Sequence, residues 1–315
     1  MRARSVVGTI LALTVLHLAP AEAAWQPTKP ITIVVGFSAG GGTDVIARAL
    51  ANASAPFFPV PLVILNRAGA AGTTAAAEVA RAAPDGHTLI VGGGSESTSV
   101  GAYRPLPYDI RKDFRPILRA TSNPQLLIVA ANSPFKSMAD LVAKAKADPG
   151  AINFGSSGPG SLVHATTEVL AERAGLKLQH VPYQGGGPAL LAVVAGQIQF
   201  MFSALDEVQG HLDGGTVRAL AVARPERLAS HPDVPTLREL GFDVVGDNMK
   251  GLAAPAGLPD DAYAFLHDNF KKGLDSASWN EFATRSKFKT EYLDGPGFQK
   301  AMVDLFNLIA GAVKK

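Results

Sequence analysis

Residues 31–48 read ITIVVGFSAGGGTDVIAR and place a glycine-rich loop between an apolar run and an amphipathic segment. The apolar run, Ile31–Val35, predicts a short buried strand. Thr43 and Asp44 predict caps for a helix over residues 45–53. The first N–H groups of a helix have no partner inside it, and the helix dipole adds roughly half a positive charge there. The stretch therefore predicts a loop that binds an acidic or phosphorylated ligand.

The same loop also matches the patterns of other sites. Residues 36–40, GFSAG, fit the turn of a serine hydrolase with Ser38 as nucleophile, but that turn follows several earlier strands and this one follows the first. A nucleotide-phosphate loop would end in Gly-Lys-Ser/Thr, and Val45 stands where a dinucleotide-binding loop has its third glycine. A loop for a small anion is therefore favoured, and a simple turn stays open as the alternative.

Residues 1–23 have the pattern of a secretory signal peptide. Two arginines precede an apolar stretch over residues 6–18, which is too short to span a bilayer comfortably. The sequence AEA at residues 21–23 fits the cleavage rule and predicts cleavage near Ala23-Ala24. We therefore expect the mature protein in the bacterial periplasm.

The composition excludes several classes of protein. The chain has no cysteine, which rules out disulfides and thiolate metal sites. Without the signal peptide, its 29 basic and 27 acidic residues become 27 and 26, so no basic field exists to hold nucleic acid. No later apolar stretch is long enough to span a membrane, and the histidines show no metal-ligand spacing. We expect no metal, cofactor or nucleic acid partner.

Apolar runs alternate with helical periods along the mature chain. Strands are predicted at residues 62–65, 88–91, 125–130, 152–154, 178–181, 198–202, 217–222 and 251–254, and helices at residues 43–53, 74–82, 138–147, 162–174, 188–195, 208–212, 260–274, 279–285 and 298–313. This alternation is typical of βαβ units and largely parallel sheets. Because a chain of this length usually forms two domains, we expect an α/β protein with two lobes.

A second loop rich in glycine and serine occurs in the middle of the chain. Residues 155–161, GSSGPGS, follow the predicted strand at 152–154 and precede the helix at 162–174. Two such loops, one in each half, predict a cleft in which helix N-termini hold a carboxylate without lysine or arginine. A tight turn without function is the alternative for this loop.

Further motifs occur in a fixed order along the chain. They are PITIVV at 30–35, GGGTD at 40–44, NRAGAAG at 66–72, PDGHTL at 84–89, FGSSG at 154–158, VPYQGG at 181–186, VRALAV at 217–222 and PDVPT at 232–236. In order and spacing they resemble the extracytoplasmic solute-binding proteins of tripartite tricarboxylate transporters, the Bug or TctC-like family. The resemblance covers nearly the whole mature chain.

The resemblance implies a type II periplasmic-binding-protein fold, in which two lobes are joined by two crossing strands and the ligand cleft lies between them. We place one lobe at residues 24–122 plus 246–315 and the other at residues 123–245. The implied function is that of a receptor without enzymatic activity, which captures a small organic acid and delivers it to a membrane permease. We expect a monomer. The glycine triplets at 40–42, 92–94 and 185–187 resemble the citrate-binding branch of the family, which implies a tricarboxylate such as citrate.

Two other functions stay open. The first is a periplasmic subunit that senses the ligand for a two-component signalling system, which the sequence cannot separate from uptake. The second, more remote, is a serine hydrolase that uses Ser38.

The resemblance implies that the two loops, residues 37–44 and 156–161, cradle one carboxylate of the ligand. Asp44 is favoured as a helix cap, because its charge would repel an anion. Ser203-Ala204 stands where many relatives have an acidic or amide residue, which favours a pure carboxylate over an ammonium-bearing ligand. Lys250 could lie at the cleft mouth or on the surface. The predicted ligand-binding residues are Phe37, Ser38, Ala39, Gly40, Gly41, Thr43, Asp44, Ser95, Ser156, Ser157, Gly160, Ser161, His164, Tyr183 and Ser203.

Overall fold

The computed structural model describes residues 25–183, 185–286 and 289–313; the predicted signal peptide lies outside these residues. The strands are β1 (Ile31–Val35), β2 (Leu62–Asn66), β3 (Thr88–Gly92), β4 (Phe114–Ala130), β5 (Asn153–Ser156), β6 (Gln179–Pro182), β7 (Phe200–Ala204), β8 (Val217–Val222), β9 (Asp247–Pro255) and β10 (Thr290–Asp294). The helices are α1 (Gly42–Ser54), α2 (Thr73–Ala80), α3 (Ser95–Thr98), α4 (Val100–Tyr103), α5 (Met138–Ala147), α6 (Leu162–Ala174), α7 (Gly186–Val194), α8 (Leu205–Asp213), α9 (Asp260–Asp275), α10 (Ala277–Arg285) and α11 (Gly295–Val313).

The strands form two sheets that share β4. In the first sheet β1 runs parallel to β2 and β3, and β9 runs antiparallel to β3 and β4, with β10 on the far side of β4. In the second sheet β4 runs antiparallel to β7 and β8, and β5 runs parallel to β6 and β7. Each sheet with its helices is one lobe, so the expected α/β protein with two lobes is confirmed.

Two long strands cross from one lobe to the other. The 17 residues of β4 pair with β9 over the first part of the strand and with β7 and β8 over the second. The partners change between Pro124, which pairs with Asp247, and Gln125, which pairs with Ala204. The crossing of β4 beside β9 is the feature expected of a type II periplasmic-binding-protein fold. The residue limits of the lobes stay a prediction.

Each lobe has its own hydrophobic core. Trp279 and Phe270, both fully buried, belong to the core of the first lobe, and Phe200 and Phe202 belong to that of the second. The apolar stripe of α11 is buried at Phe298, Met302, Leu305 and Ile309 and joins the second core. This helix contacts β4 and α6, so it spans the region where the lobes meet.

The start of α1 differs from the prediction. The helix begins at Gly42 with Gly41 as its N-cap and no side-chain cap, so Thr43 and Asp44 are not its caps. Asp44 lies inside the first turn and accepts a hydrogen bond from the Gly40 N–H at 2.8 Å. Because the glycine-rich loop folds back over the helix start, the N-cap is Gly41, two residues before Thr43 in the chain.

Candidate functional site

A cavity of about 400 Å³ lies between the lobes and is bordered by both predicted loops. A volume of this size is within the usual range for a small-molecule site. The residues that line it include Phe37, Ser38, Gly41, Gly42 and Thr43 of the first loop, Ser157 of the second loop, Leu162 and Val163 at the start of α6, and Gln125, Asn248 and Lys250 of the crossing strands.

The N-terminal ends of five helices border this cavity. The residues that line it include the N-caps of α1, α2, α7 and α8, which are Gly41, Gly72, Gly185 and Ala204, together with Leu162, the first residue of α6. Each end carries a partial positive charge, and its first N–H groups have no partner inside the helix, although Ser95 and Ser161 accept from two of those of α6. The cavity is therefore a favourable environment for an anion.

Asp44 stabilises the first loop from the side that faces away from the cavity. Its side chain is 2 % exposed and accepts hydrogen bonds from Arg48 Nε and Asn66 Nδ2, both at 2.9 Å, besides the one from Gly40. Burial alone would raise the pKa of this carboxyl, but the bonds from Arg48, Gly40 and Asn66 outweigh burial and lower the pKa to about 2. Asn66 also donates to the Phe37 carbonyl at 3.1 Å. The role of Asp44 in the structure is to shape the loop, and its carboxylate does not line the cavity.

The second loop is held by its own polar side chains. Ser161, a predicted ligand-binding residue, caps α6 by accepting a hydrogen bond from the His164 N–H at 3.3 Å. The Gly160 N–H donates to His164 Nδ1 at 3.1 Å, and the Ser156 hydroxyl lies 2.6 Å from His180 Nε2. These contacts leave Ser157 as the loop serine that lines the cavity.

His164 and His180 stack beside this loop. Their ring centroids are 3.9 Å apart. Burial, with the charge of His164 as the second cause, lowers the pKa of His180 to about 4. His180 is therefore neutral near pH 7. A hydrogen bond to His164 is the main reason why the pKa of Glu168 is lowered, so this carboxylate stays charged.

Three side chains spaced by four residues connect the lobes next to the cavity. The Ser95 hydroxyl accepts from the Leu162 N–H at 3.1 Å, and the Ser99 hydroxyl donates to the Gly160 carbonyl at 2.8 Å. The Tyr103 hydroxyl donates to Glu168 Oε2 at 2.7 Å. Ser95, a predicted ligand-binding residue, accepts from the first N–H group of α6, because α3 packs directly against the second loop.

The other predicted residues are distributed over neighbouring positions. Gly160 and Tyr183 line a second cavity of about 610 Å³, which shares Ser157 with the first. Gly40 lines a third cavity of about 540 Å³, which shares Gly41, Gly42 and Glu207 with the first. Ser203 is 1 % exposed, lies on β7 behind the wall, and does not line the 400 Å³ cavity. Ala39 is exposed in the first loop. That the predicted residues contact a ligand stays a prediction.

The sequence prediction missed the acidic part of the cavity wall and left open whether Lys250 lies at the cleft or on the surface. Lys250 on β9 is 3 % exposed and lines the cavity, with its Nζ 3.4 Å from Asp206 Oδ2. Asp206 also accepts from Asn123 Nδ2 at 2.7 Å, and Glu207 lines the cavity beside it. The signal in the sequence was a single lysine in an apolar run and two acids in the first turn of a helix.

The described residues give little support for a serine hydrolase site, a metal site or a membrane span. Ser38 is exposed and makes no hydrogen bond to an imidazole within the described part of the chain, and Ser156, which does, is buried. The described residues contain no group of three or more His, Cys, Asp or Glu that could hold a metal ion. None of the helices in the described ranges is long and apolar enough to cross a membrane.

Comparison with known proteins shows the family. The model of the tripartite tricarboxylate transporter family receptor, TctC, matches residues 46–310. Protein BugT of Bordetella pertussis is 32 % identical over 278 residues, which cover 87 % of this chain and 85 % of that protein.

Solved structures agree with this result. MatC from Rhodopseudomonas palustris with bound malate is 31 % identical and superposes with a TM-score of 0.79, covering 91 % of this chain and 99 % of that one. A second R. palustris protein, with adipate, is 28 % identical with a TM-score of 0.78, covering 91 % and 98 %. The chain therefore belongs to the TctC family of periplasmic solute-binding receptors.

Proposed function

We propose that this protein captures a small organic acid in the 400 Å³ cavity and delivers it to the permease of a tripartite tricarboxylate transporter. The observation that carries the proposal is the convergence of five helix N-termini on one cavity between the lobes. Such ends stabilise a carboxylate through free N–H donors and the helix dipole, at roughly 0.3–2 kcal/mol each. The matching family is one of receptors, which supports a role in binding and not in catalysis.

The charged side chains that line the cavity limit how many carboxylates the ligand can carry. Lys250 is the basic side chain among the described residues that line it, and Asp206 already balances its charge. Relatives at about 30 % identity hold malate and adipate, each with two carboxylates. Citrate, with three, stays a prediction that this wall does not favour, because Glu207 would repel a further negative group.

The proposed cycle uses the two crossing strands as the hinge. β4 and β9 are the connection about which the lobes would open and close. Ser95, Ser99 and Tyr103 join α3 and α4 to α6 beside the cavity, so they would stabilise the closed form. The protein would act in the periplasm as a monomer, after cleavage of residues 1–23.

A substitution in the first loop tests the binding site. Gly41→Asp places a carboxylate at the N-cap of α1, where φ is −73°, so an aspartate fits the backbone and competes with the ligand. We expect isothermal titration of residues 24–315 with malate, adipate, succinate, glutamate and citrate to show binding of at least one acid, and Gly41→Asp to abolish it. Gly311→Asp, the same change at an exposed site on α11, is the control. Unchanged binding by Gly41→Asp would contradict the proposal.

A further inference from the structure

His164 lies beside the cavity between the lobes without lining it. It is the third residue of α6, it is 7 % exposed, and it lines neither the 400 Å³ nor the 610 Å³ cavity. Its ring instead contacts the second loop, in which Ser157 lines both cavities and Gly160 lines the larger one. A role of His164 in ligand binding would therefore be indirect and would act through this loop.

The two ring nitrogens of His164 have opposite roles in hydrogen bonding. Nδ1 accepts a hydrogen bond from the Gly160 N–H at 3.1 Å, and because an amide N–H can only donate, Nδ1 carries no proton. Nε2 lies 3.2 Å from Glu168 Oε1, and because a carboxylate can only accept, the proton of the ring is on Nε2. The contacts of this ring therefore require its neutral form.

A second proton on the His164 ring would conflict with the loop. It would bind to Nδ1 and point at the Gly160 N–H, so that two donors would face each other where a hydrogen bond exists now. Gly160 is buried, and a buried donor without an acceptor is unfavourable. Gly160 would therefore move away from the ring, together with Ser161, which follows it directly and is the N-cap of α6.

The titratable groups around His164 make this conflict sensitive to pH. Glu168 on the same helix favours a charged ring, and it also accepts from the Tyr103 hydroxyl of α4 at 2.7 Å. The Gly160 N–H favours a neutral ring, so the two partners of His164 oppose each other in acid. His180 of β6 stacks on the ring at 3.9 Å, and because burial lowers its pKa to about 4, it stays mostly neutral down to pH 5.

We propose that His164 is a positioning residue for ligand binding, whose neutral ring fixes the second loop in its binding form and whose protonation releases that loop. The step is the transfer of one proton from solvent to Nδ1, which breaks the hydrogen bond to Gly160 and no covalent bond. The inference rests on the proposed function and adds to it that the acid is held less tightly at low pH. Imidazoles titrate in the range where such a loss would be felt near neutral pH.

Two substitutions separate the acceptor from the proton. In His164→Asn the side-chain Oδ1 can replace Nδ1 as acceptor for the Gly160 N–H, but an amide does not titrate. His164→Phe keeps a ring and removes the acceptor. Kd is measured for residues 24–315 at pH 7.5 and pH 5.5 by isothermal titration with malate, adipate, succinate, glutamate and citrate.

The three proteins should differ in how Kd depends on pH. In the unchanged protein we expect Kd to rise by about fivefold or more from pH 7.5 to pH 5.5, which corresponds to the loss of one hydrogen bond. His164→Asn should bind nearly as tightly at pH 7.5 and show a smaller rise, and His164→Phe should bind weakly at both values. Protonation of the acid itself affects all proteins equally, so the difference between profiles is the measure. His231→Asn, in a turn of the second lobe, should follow the unchanged protein.

The protein without ligand gives a second readout. Nitrogen-15 NMR of the imidazole should show a bare Nδ1 and a protonated Nε2 on His164 at pH 7.5. The protection factor of the Gly160 amide against hydrogen exchange should fall on the same titration curve as protonation of Nδ1. In His164→Asn this protection should persist at pH 5.5.

The possible failures are distinguishable. A proton on Nδ1 at pH 7.5, or a Gly160 amide that stays protected once the ring is charged, would overturn the inference. The same rise of Kd in His164→Asn and in the unchanged protein would also overturn it, while the organic-acid receptor would stand if Gly41→Asp abolishes binding. If no acid of the set binds, the proposed ligand class fails, and the two NMR readouts decide the role of His164 on their own.

Discussion

The Tyr103 hydroxyl donates a 2.7 Å hydrogen bond to Glu168 Oε2. This bond connects α4, which comes after β3 of the first sheet, with α6, which packs on the second sheet. Glu168 also contacts His164 Nε2 at 3.2 Å, and His164 Nδ1 accepts a hydrogen bond from the Gly160 N–H of the second loop. The contact between the lobes and the shape of the loop at the cavity therefore belong to one network.

Tyr103→Phe removes the hydroxyl and keeps the ring that packs 5.2 Å from His164. A net hydrogen bond of about 1 kcal/mol corresponds to roughly a fivefold change in an equilibrium constant. We expect Kd for the ligand to rise by about that factor, mostly through faster release, measured by stopped-flow fluorescence. Tyr292→Phe removes a hydroxyl that contacts His267 within the first lobe and serves as the control. Equal Kd values in Tyr103→Phe and the unchanged protein would contradict this role.

Asp44 is expected to make the stability of the first lobe depend on acid pH. Its pKa is about 2 in the folded chain, below its ordinary value, because the bonds from Arg48, Gly40 and Asn66 outweigh burial. A lowered carboxyl pKa stabilises the fold above the unfolded pKa of about 4, and this stabilisation is lost as pH falls towards 2. The contribution at pH 7 is about 2 kcal/mol.

Asp44→Asn should therefore unfold at a lower urea concentration than the unchanged protein at pH 7, and the difference should shrink as pH falls from 4 towards 2. Asp304→Asn, at an exposed ion pair with Lys300, is the control and should change stability little at either pH. A difference between Asp44→Asn and the unchanged protein that stays constant over this range would show that the charge is not the cause.

The sequence predicted those helices and strands in which apolar residues recur with a single clear period, either helical or extended. The helices at residues 138–147 and 162–174 and the strand at 217–222 have the predicted limits, because each combines a clear apolar pattern with a capping or stop signal. Ser137 and Asp140 form a capping box at the start of the first of these helices. The two glycine-rich loops border one cavity, as their common position between strand and helix predicts.

The first half of β4 and the acidic residues of the cavity wall were missed, and the position of Lys250 was left open, for the same physical reason. Arg115, Pro116 and Arg119 interrupt the apolar pattern of a strand that lies in the middle of a sheet, where β9 and β10 supply its partners from far along the chain. Gln125, Glu207 and Lys250 meet only because β4, α8 and β9 come together in space. No local pattern encodes contacts between positions so far apart.

The close approach of the two crossing strands can be tested at Gly251. This residue lies on β9, and a Cβ there would collide with the Leu118 carbonyl oxygen and the Phe298 ring. Because carbonyl and backbone cannot move aside as a flexible side chain can, we expect Gly251→Ala to lower the free energy of unfolding by about 2–4 kcal/mol in urea titration. Gly311→Ala, on an open face of α11, should be neutral or stabilising by up to about 1 kcal/mol. Similar effects of the two substitutions would contradict the tight crossing.

His180 is expected to make stability fall between pH 6.5 and 4. Burial, followed by the charge of His164, lowers its folded pKa to about 4, whereas the unfolded chain titrates near 6.5. In this window the unfolded state binds the extra proton, so the stabilisation present above pH 6.5 is lost as pH falls through the folded pKa. Thermal unfolding of the unchanged protein should therefore show a Tm that decreases over this range. His180→Gln removes the titrating ring, and its Tm should depend less on pH in that window. The control is His231→Gln, in a turn of the second lobe away from the stacked pair. The Tm of His231→Gln should depend on pH as that of the unchanged protein does. A pH dependence of Tm that persists in His180→Gln would assign the proton to another residue.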